Sequence, residues 1–281
     1  MTVPALVLVP TPIGNLGDIT FRSVDVLREA HHIVAEDTRR TRKLLAHLGL
    51  DGSRLHRLDA NASDADLDRV VGWMNVGETV ALVTDAGTPS ISDPGSALVR
   101  RALVAGHSVT SLPGPSAVTL AVACSGLVDG PFCFLGFPPR QQAELTALVE
   151  TITHRSEPCV LFESPNRLAR TLTALADAMP ERRVVIGREL TKMHEEFVRG
   201  TLAEVALVKR DWLGEITLVL GPWIQSAGEG PSDEEVDRRI DEELSANTHT
   251  RTVASKVAAW SGRSRRDVYA RVVDRLEARR R

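Results

Sequence analysis

ALVLVPTPIGNLGD, residues 5–18, sets five apolar residues in a row against a loop holding two prolines and two glycines. A continuous apolar run is the pattern of a strand buried on both faces. The loop behind it is constrained, because proline fixes φ while glycine admits positive φ and close approach of another backbone. Thr20 then stands as the cap of a helix over residues 21–30, with Val24 and Leu27 three apart on one face.

The same rhythm runs outward from that stretch. Residues 32–35 read as a second strand, 38–48 as a helix ended by Gly49, and 80–84 as another buried strand. The loop 85–95 leads into a helix ended by Gly106. Residues 108–112 form a strand, and a helix from Ser116 runs to about Cys124. After the turn 125–131, strands are expected at 132–136, 159–162, 183–188 and 215–220, with helices at 141–153, 166–178 and 201–209. Strands alternating with helices predict two α/β domains, residues 1–125 and 126–224, each with a mostly parallel sheet.

Beyond Pro222 the composition changes. Residues 225–232 are a Gly, Ser and Pro linker, 233–244 an acidic amphipathic stretch, and 252–260 and 265–276 two helices joined by Ser261-Gly262-Arg263-Ser264. Ser264 and Asp267 have capping-box spacing. Residues 250–281 hold ten lysines and arginines against three acids, a net +7, which leaves −10 on the preceding 249 residues. A basic helical tail, residues 231–281, on an acidic body has the charge to meet phosphate. The same composition also suits a solvated surface helix.

With 43% hydrophobic and 25% charged residues in a chain of 281, a buried core needs no staples. Cys124, Cys133 and Cys159 form no CxxC pair, so neither a zinc site nor a disulfide framework is implied. No basic region precedes the first apolar run, which Pro10 and Pro12 interrupt. Neither a signal peptide nor a membrane span is expected, and the predicted location is the cytoplasm.

In α/β folds the chemistry sits at the carboxyl ends of parallel strands. Three constrained loops fall there: 10–18, 85–95 and 112–117. One such loop is a tight connection, whereas three at corresponding strand ends point to a ligand cleft. GxGxxG is absent after the first strand and no GK[ST] occurs, which disfavours nicotinamide and nucleoside-triphosphate sites. A ligand held largely by backbone remains.

The loops themselves, with TDAGTPSISDPG at 84–95 and LPGPSA at 112–117, resemble the ribosomal-RNA branch of the tetrapyrrole methylases. Ala35–Arg39 (AEDTR), GFPPR at 136–140, FESPNRL at 162–168, GRELTK at 187–192, Glu195-Glu196 and Arg199-Gly200-Thr201 continue the likeness in order, over nearly the whole body of the chain. The tetrapyrrole-modifying relatives usually carry Gly-Asp-Pro where Gly87-Thr88-Pro89 stands here, a departure that follows the RNA branch.

The resemblance implies the class III methyltransferase fold, two α/β domains with S-adenosylmethionine between them, plus a small C-terminal helical region. It further implies a homodimer that methylates the ribose 2′-hydroxyl of cytidine 1402 in the 16S rRNA of the small ribosomal subunit. By motif, the cofactor residues would be Pro10, Thr11, Pro12 and Gly14 from the first loop, and Asp85, Gly87, Thr88, Pro89 and Ile91 from the second. Ser116 and Ala117 would approach from the third, and Phe162, Glu163, Leu190 and Thr217 would meet the adenosine. Glu163 is placed either to accept a ribose hydroxyl or to pair with Arg167.

Methyl transfer from a sulfonium mainly needs alignment of acceptor oxygen, methyl carbon and sulfur. A ribose hydroxyl is a weak nucleophile, so a base, or a cation beside the developing alkoxide, would help. Glu36, Asp37, Arg39, Glu189, Lys192 and Glu195 are available; Asp37, Lys192 and Glu195 are the chosen catalytic candidates, with Lys192 and Glu195 sharing a face if that stretch is helical. Arg22, Arg39, Arg40, Arg42 and Lys43 follow the cleft loops and suit phosphate contacts. His31 and His32 read as packing or surface residues, and Trp73, Trp212, Trp223 and Trp260 are too dispersed for a base-stacking platform. The rival readings are a tetrapyrrole C-methyltransferase of the same fold and a non-enzymatic RNA-binding factor.

Overall fold

The computed structural model describes residues 5–91, 95–223, 232–245, 250–261 and 263–278. They fall into two compact units, Met1–Trp223 and Ile224–Arg281. Part of the 85–95 loop (Ser92, Asp93 and Pro94), most of the expected linker, Gly262 and Arg279–Arg281 lie outside the described residues.

The first half builds a parallel sheet from β1 (Leu6–Val9), β2 (His32–Ala35), β3 (Leu55–Arg57), β4 (Val80–Val83) and β5 (Val109–Ser111). Their order is β3-β2-β4-β1-β5. Alternation along each strand feeds two separate cores. Leu6, Leu8, Val34 and Leu82 face α3 (Asp64–Asn75) and α4 (Gly95–Val104), where Val70, Met74 and Leu98 meet them. Val7, Val9, Ile33 and Val83 face α1 (Phe21–Glu29) and α2 (Thr38–His47), where Leu27 and Leu45 meet them. Each such fully buried side chain contributes about 1.5–3 kcal/mol. β1 leads to helices on one face and its neighbour β4 to helices on the other. The carboxyl ends of these two strands therefore border the crevice of a topological switch point.

The caps explain where these helices begin and end. Thr20 accepts from the Ser23 N–H at the start of α1, as expected. Asp37 accepts from the Arg39 N–H at the start of α2, and Gly49 takes φ 66 just past its end. β3 and α3 were not expected. α3 carries a capping box, Ser63 with Asp66.

The second sheet comprises β6 (Cys133–Phe134), β7 (Cys159–Glu163), β8 (Arg183–Arg188), β9 (Glu196–Thr201) and β10 (Ile216–Leu220), in the order β6-β7-β10-β8-β9. Only β6 and β7 are parallel; the other three pairings are antiparallel. The expectation of a mostly parallel sheet is corrected here. Residues 189–195 are too few for the crossover a parallel β8–β9 pair needs, so the chain turns straight back into a strand that was not expected.

On one face of this sheet α6 (Gln142–Thr153), α7 (Pro165–Ala178) and α8 (Leu202–Ala206) close the largest core. On the other, Val160, Val185 and Val219 pack against Val118 and Ala121 of α5 (Ala117–Ser125) and against Ile13 of the first loop. The two sheets thus share a core. Arg182, 1% exposed, donates to the carbonyls of Gly221, Ile152 and Glu157 and ties three chain segments at the far edge. Burial pulls its pKa below the ordinary arginine value.

The second unit is three helices, α9 (Asp233–Ser245), α10 (Thr250–Ser261) and α11 (Arg265–Ala278), around Val236, Ile240, Val253, Val257, Val268 and Val272. Ser264 caps α11 by accepting from the Asp267 N–H. The expected free basic face is corrected in part. Arg263 pairs with Asp233, Arg271 with Asp237, Arg275 with Asp241 and Lys256 with Glu243, so α9 neutralises four of the tail's cations. Among the described residues no helix is long and apolar enough to cross a membrane.

Candidate active site

The three loops at the ends of β1, β4 and β5 are laced to one another by backbone. Thr11 and Gly87 exchange N–H···O bonds of 2.9 and 3.0 Å, and the Thr11 hydroxyl donates to the Thr84 carbonyl at 3.0 Å. Gly87 takes φ 83, which favours glycine. The Thr88 hydroxyl donates to the Pro115 carbonyl at 3.1 Å. Pro10 packs on Gly114, where a Cβ would come within 2.5 Å of the proline ring.

Facing these loops are the ends of β7 and β10. Between the two walls lies a cavity of about 390 Å³, within the range of small-molecule sites. Of the expected cofactor residues, Asp85, Gly87, Thr88, Ile91, Ser116, Ala117, Phe162, Glu163 and Thr217 line it. Pro10, Thr11, Pro12, Gly14, Pro89 and Leu190 do not. Thr11 and Pro12 line a smaller neighbouring cavity. Gly14 is pressed against Leu190, Thr191 and Lys192, Pro89 is buried, and Leu190 sits in the shared core. These residues shape the wall from behind.

Several lining residues escaped the sequence reading, among them Ile13, Phe137, Gly214, Glu215 and Ile216. GFPPR at 136–140 belonged to the resemblance, and Phe137, 54% exposed, was its available signal. The rings of Phe137, Phe162 and Phe134 adjoin, with centroids 5.4 and 4.9 Å from that of Phe162, and make one aromatic side.

Glu163 is buried, and its carboxylate is fully engaged. Oε1 accepts from the Ser164 N–H at 2.7 Å and from Arg167 at 2.8 Å, and Oε2 accepts from the Thr171 hydroxyl at 2.6 Å. Arg167 also donates to the Pro138 carbonyl at 3.0 Å. Of the two roles expected for Glu163, the geometry supplies the Arg167 pair, which anchors the loop carrying Phe137.

Asp37 caps α2 and pairs with Arg39 at 2.9 Å, while its own N–H donates to Asp85 Oδ1 at 3.2 Å. The hydrogen bond from the Arg39 side chain is the chief reason its carboxyl is lowered to about 2. Residues 189–195 are not helical, so Lys192 and Glu195 do not share a helix face, correcting that expectation. Glu189 and Thr191 take φ 51 and 67 and break any helix.

Lys192 Nζ instead lies 2.8 Å from Glu189 and 3.0 Å from Glu215, while Glu195 accepts from the Thr191 N–H at 2.7 Å. Burial pulls the Lys192 pKa down, but the two carboxylates outweigh it and hold the ammonium above its ordinary value. Partial burial raises Glu189, but its bonds from Lys192 and the Glu215 N–H outweigh it and bring it below the usual range.

Of the five expected phosphate contacts, Arg40 lines both cavities and Lys43 the smaller one. Arg39 is paired with Asp37. Arg22 and Arg42 are exposed and line neither cavity.

A parallel sheet whose switch-point loops face the edge of a second, mixed sheet across a shared cavity makes a two-lobed fold with its ligand site between the lobes. The family model described as Tetrapyrrole (Corrin/Porphyrin) Methylases matches residues 5–206. Ribosomal RNA small subunit methyltransferase I of Bacillus subtilis (strain 168) is 40% identical over 257 residues, covering 90% of this chain and 85% of that protein. Its counterpart in Neisseria meningitidis serogroup B (strain ATCC BAA-335 / MC58) is 38% identical, covering 94% and 91%. Among solved structures, the methyltransferase CobJ superposes with a TM-score of 0.60 at 18% identity, over 78% of this chain and 95% of that one. Diphthine synthase does so at 0.58 and 17%, over 77% and 89%. The chain belongs to the tetrapyrrole methylase family, among its ribosomal RNA small subunit methyltransferase I members.

Methylases of this family take their methyl group from S-adenosylmethionine, and the cavity suits that donor. Among the described residues its walls carry Glu36, Asp85 and Glu215, with Asp85 3.6 Å from Arg40 and Glu215 3.0 Å from Lys192. The aromatic side offers a face for adenine, and Gly87, Ser116 and Ala117 let backbone come close.

Proposed function

We propose that this protein methylates the ribose 2′-hydroxyl of cytidine 1402 in the 16S rRNA of the small ribosomal subunit, with S-adenosylmethionine as donor. The observation that carries this reading is the donor-sized cavity between two lobes, in a chain colinear with small-subunit rRNA methyltransferases. The donor supplies an activated methyl group on a good leaving group, and this chain's residues supply alignment. The lower walls are rigid because their loops are bonded to one another through Thr11, Gly87, Thr88 and Pro115.

In this reading Asp37, Lys192 and Glu195 are positioning residues. Asp37 holds Asp85 by its backbone, Lys192 holds Glu215, and Glu195 fixes the turn that carries Lys192. Residues 1–125 and 126–224 act as the two catalytic domains, and 231–281 as a separate helical module. We place the protein in the cytoplasm, as a homodimer. Phe21 and Met193, each more than nine-tenths exposed, are apolar surface that a second copy would cover.

The test is incubation of the purified protein with labelled S-adenosylmethionine and small subunits from a strain lacking it, followed by mass mapping of the 16S rRNA. Label on the ribose of cytidine 1402 is expected. Label on uroporphyrinogen instead of RNA would overturn the reading.

A further inference from the structure

A second cavity of about 160 Å³, lined by Thr11, Pro12, Leu16 and by Arg40, Thr41, Lys43 and Leu44 of α2, adjoins the larger one. Thr84, Asp85 and Arg40 belong to the walls of both. Its volume equals that of about five waters, room for one furanose ring with the phosphate at the mouth and too small for a macrocycle. Arg40 and Lys43 are three apart on α2 and stand over it, and Lys43 makes no ion pair among the described residues. Asp85 lies at the junction. Its Oδ1 accepts the Asp37 N–H at 3.2 Å, and its Oδ2 lies 3.6 Å from Arg40 Nε.

Resting on the rRNA reading above, we infer that the smaller cavity is the acceptor subsite. It seats the ribose of the target nucleotide, with Arg40 and Lys43 on the adjacent phosphate and Asp85 as the group that receives the hydroxyl proton. The physical grounds are charge and adjacency. Two cations beside a pocket that shares wall residues with the donor cavity match a sugar–phosphate, and one carboxylate lines both compartments. In the transfer, a lone pair of the 2′-oxygen forms the new O–C bond. The C–S bond breaks with its electron pair remaining on sulfur, and the proton of the hydroxyl passes to Asp85 Oδ.

Two variants separate the roles. Lys43→Ala should raise KM for small subunits at least tenfold and flatten the salt dependence of RNA binding by about one phosphate contact. Its affinity for S-adenosylmethionine by calorimetry should match the wild type, and Lys43→Arg should restore KM. Asp85→Asn keeps an oxygen for the Asp37 N–H but loses the proton acceptor. Its kcat should fall about 100-fold or more with KM for RNA little changed. A wild-type KM in Lys43→Ala, or a wild-type kcat in Asp85→Asn, overturns the subsite while leaving the rRNA reading intact. Failure of the wild-type protein to methylate small subunits would instead overturn the rRNA reading.

Discussion

Gly14 of the first loop lies directly against Lys192 of the second sheet's β8–β9 turn. A Cβ at position 14 would overlap Lys192 Cγ and come within 2.8 Å of Thr191 Oγ1 and 3.0 Å of the Leu190 carbonyl. The Asn15 N–H donates to Thr191 Oγ1 across the same junction, at 3.1 Å. Contact this close between lobes tolerates no side chain, so Gly14→Ala should push the turn away and carry Lys192 off Glu215. Affinity for S-adenosylmethionine should drop about tenfold, with thermal stability lowered only modestly. Unchanged affinity by calorimetry would show that the junction does not shape the cavity.

The buried Glu163–Arg167 pair gives a second test. Removing one partner of a buried pair leaves the other uncompensated, typically at 3–5 kcal/mol. Arg167 is 25% exposed and can recover some solvation, so Glu163→Ala should cost about 3 kcal/mol in urea unfolding. Loosening of the Pro138 anchor should weaken donor binding as well.

Ile91 borders the cavity and is 43% exposed, so bulk added there projects into open space. Ile91→Trp should leave the melting temperature near that of the wild type while reducing S-adenosylmethionine binding at least tenfold. Full turnover in this variant would count against the cavity as the donor site.

His56 sets a pH dependence of stability. It lies 3.0 Å from His32 and against the Trp73 ring. Burial, then the nearby His32 and Arg69 charges, lower its pKa from about 6.5. The unfolded chain therefore takes up the proton first as pH falls. The contribution is whole above about pH 6.5 and is lost as pH drops toward the folded value. The urea midpoint should decline between pH 7 and pH 5.5, and His56→Gln should flatten that decline. An equal slope in both proteins would assign the effect elsewhere.

Much of this was legible in the chain itself. Buried parallel strands announced themselves as apolar runs at β1 and β4, and Thr20 and Gly49 marked helix ends through chemistry that acts within a few residues. Nine of the expected donor-site residues line the cavity; six of them follow β4 and β5, whose loops converge because the strands are parallel, and Phe162, Glu163 and Thr217 stand on the antiparallel β7 and β10. β3 escaped because three residues, Leu-His-Arg, carry no periodicity, and α3 was missed although Ser63 and Asp66 have capping-box spacing at its start.

Sequence by itself determined most of the local elements, the constrained loops and the family. Tertiary structure decided the antiparallel course of the second sheet, the engagement of Glu163, the turn of Lys192 toward Glu189 and Glu215, and the pairing of Arg263, Arg271 and Arg275 with acids of α9. The physical reason is range. Capping, turn chemistry and hydrophobic period are set by neighbours along the chain, whereas strand direction and the partner of a charge depend on segments that only folding brings together.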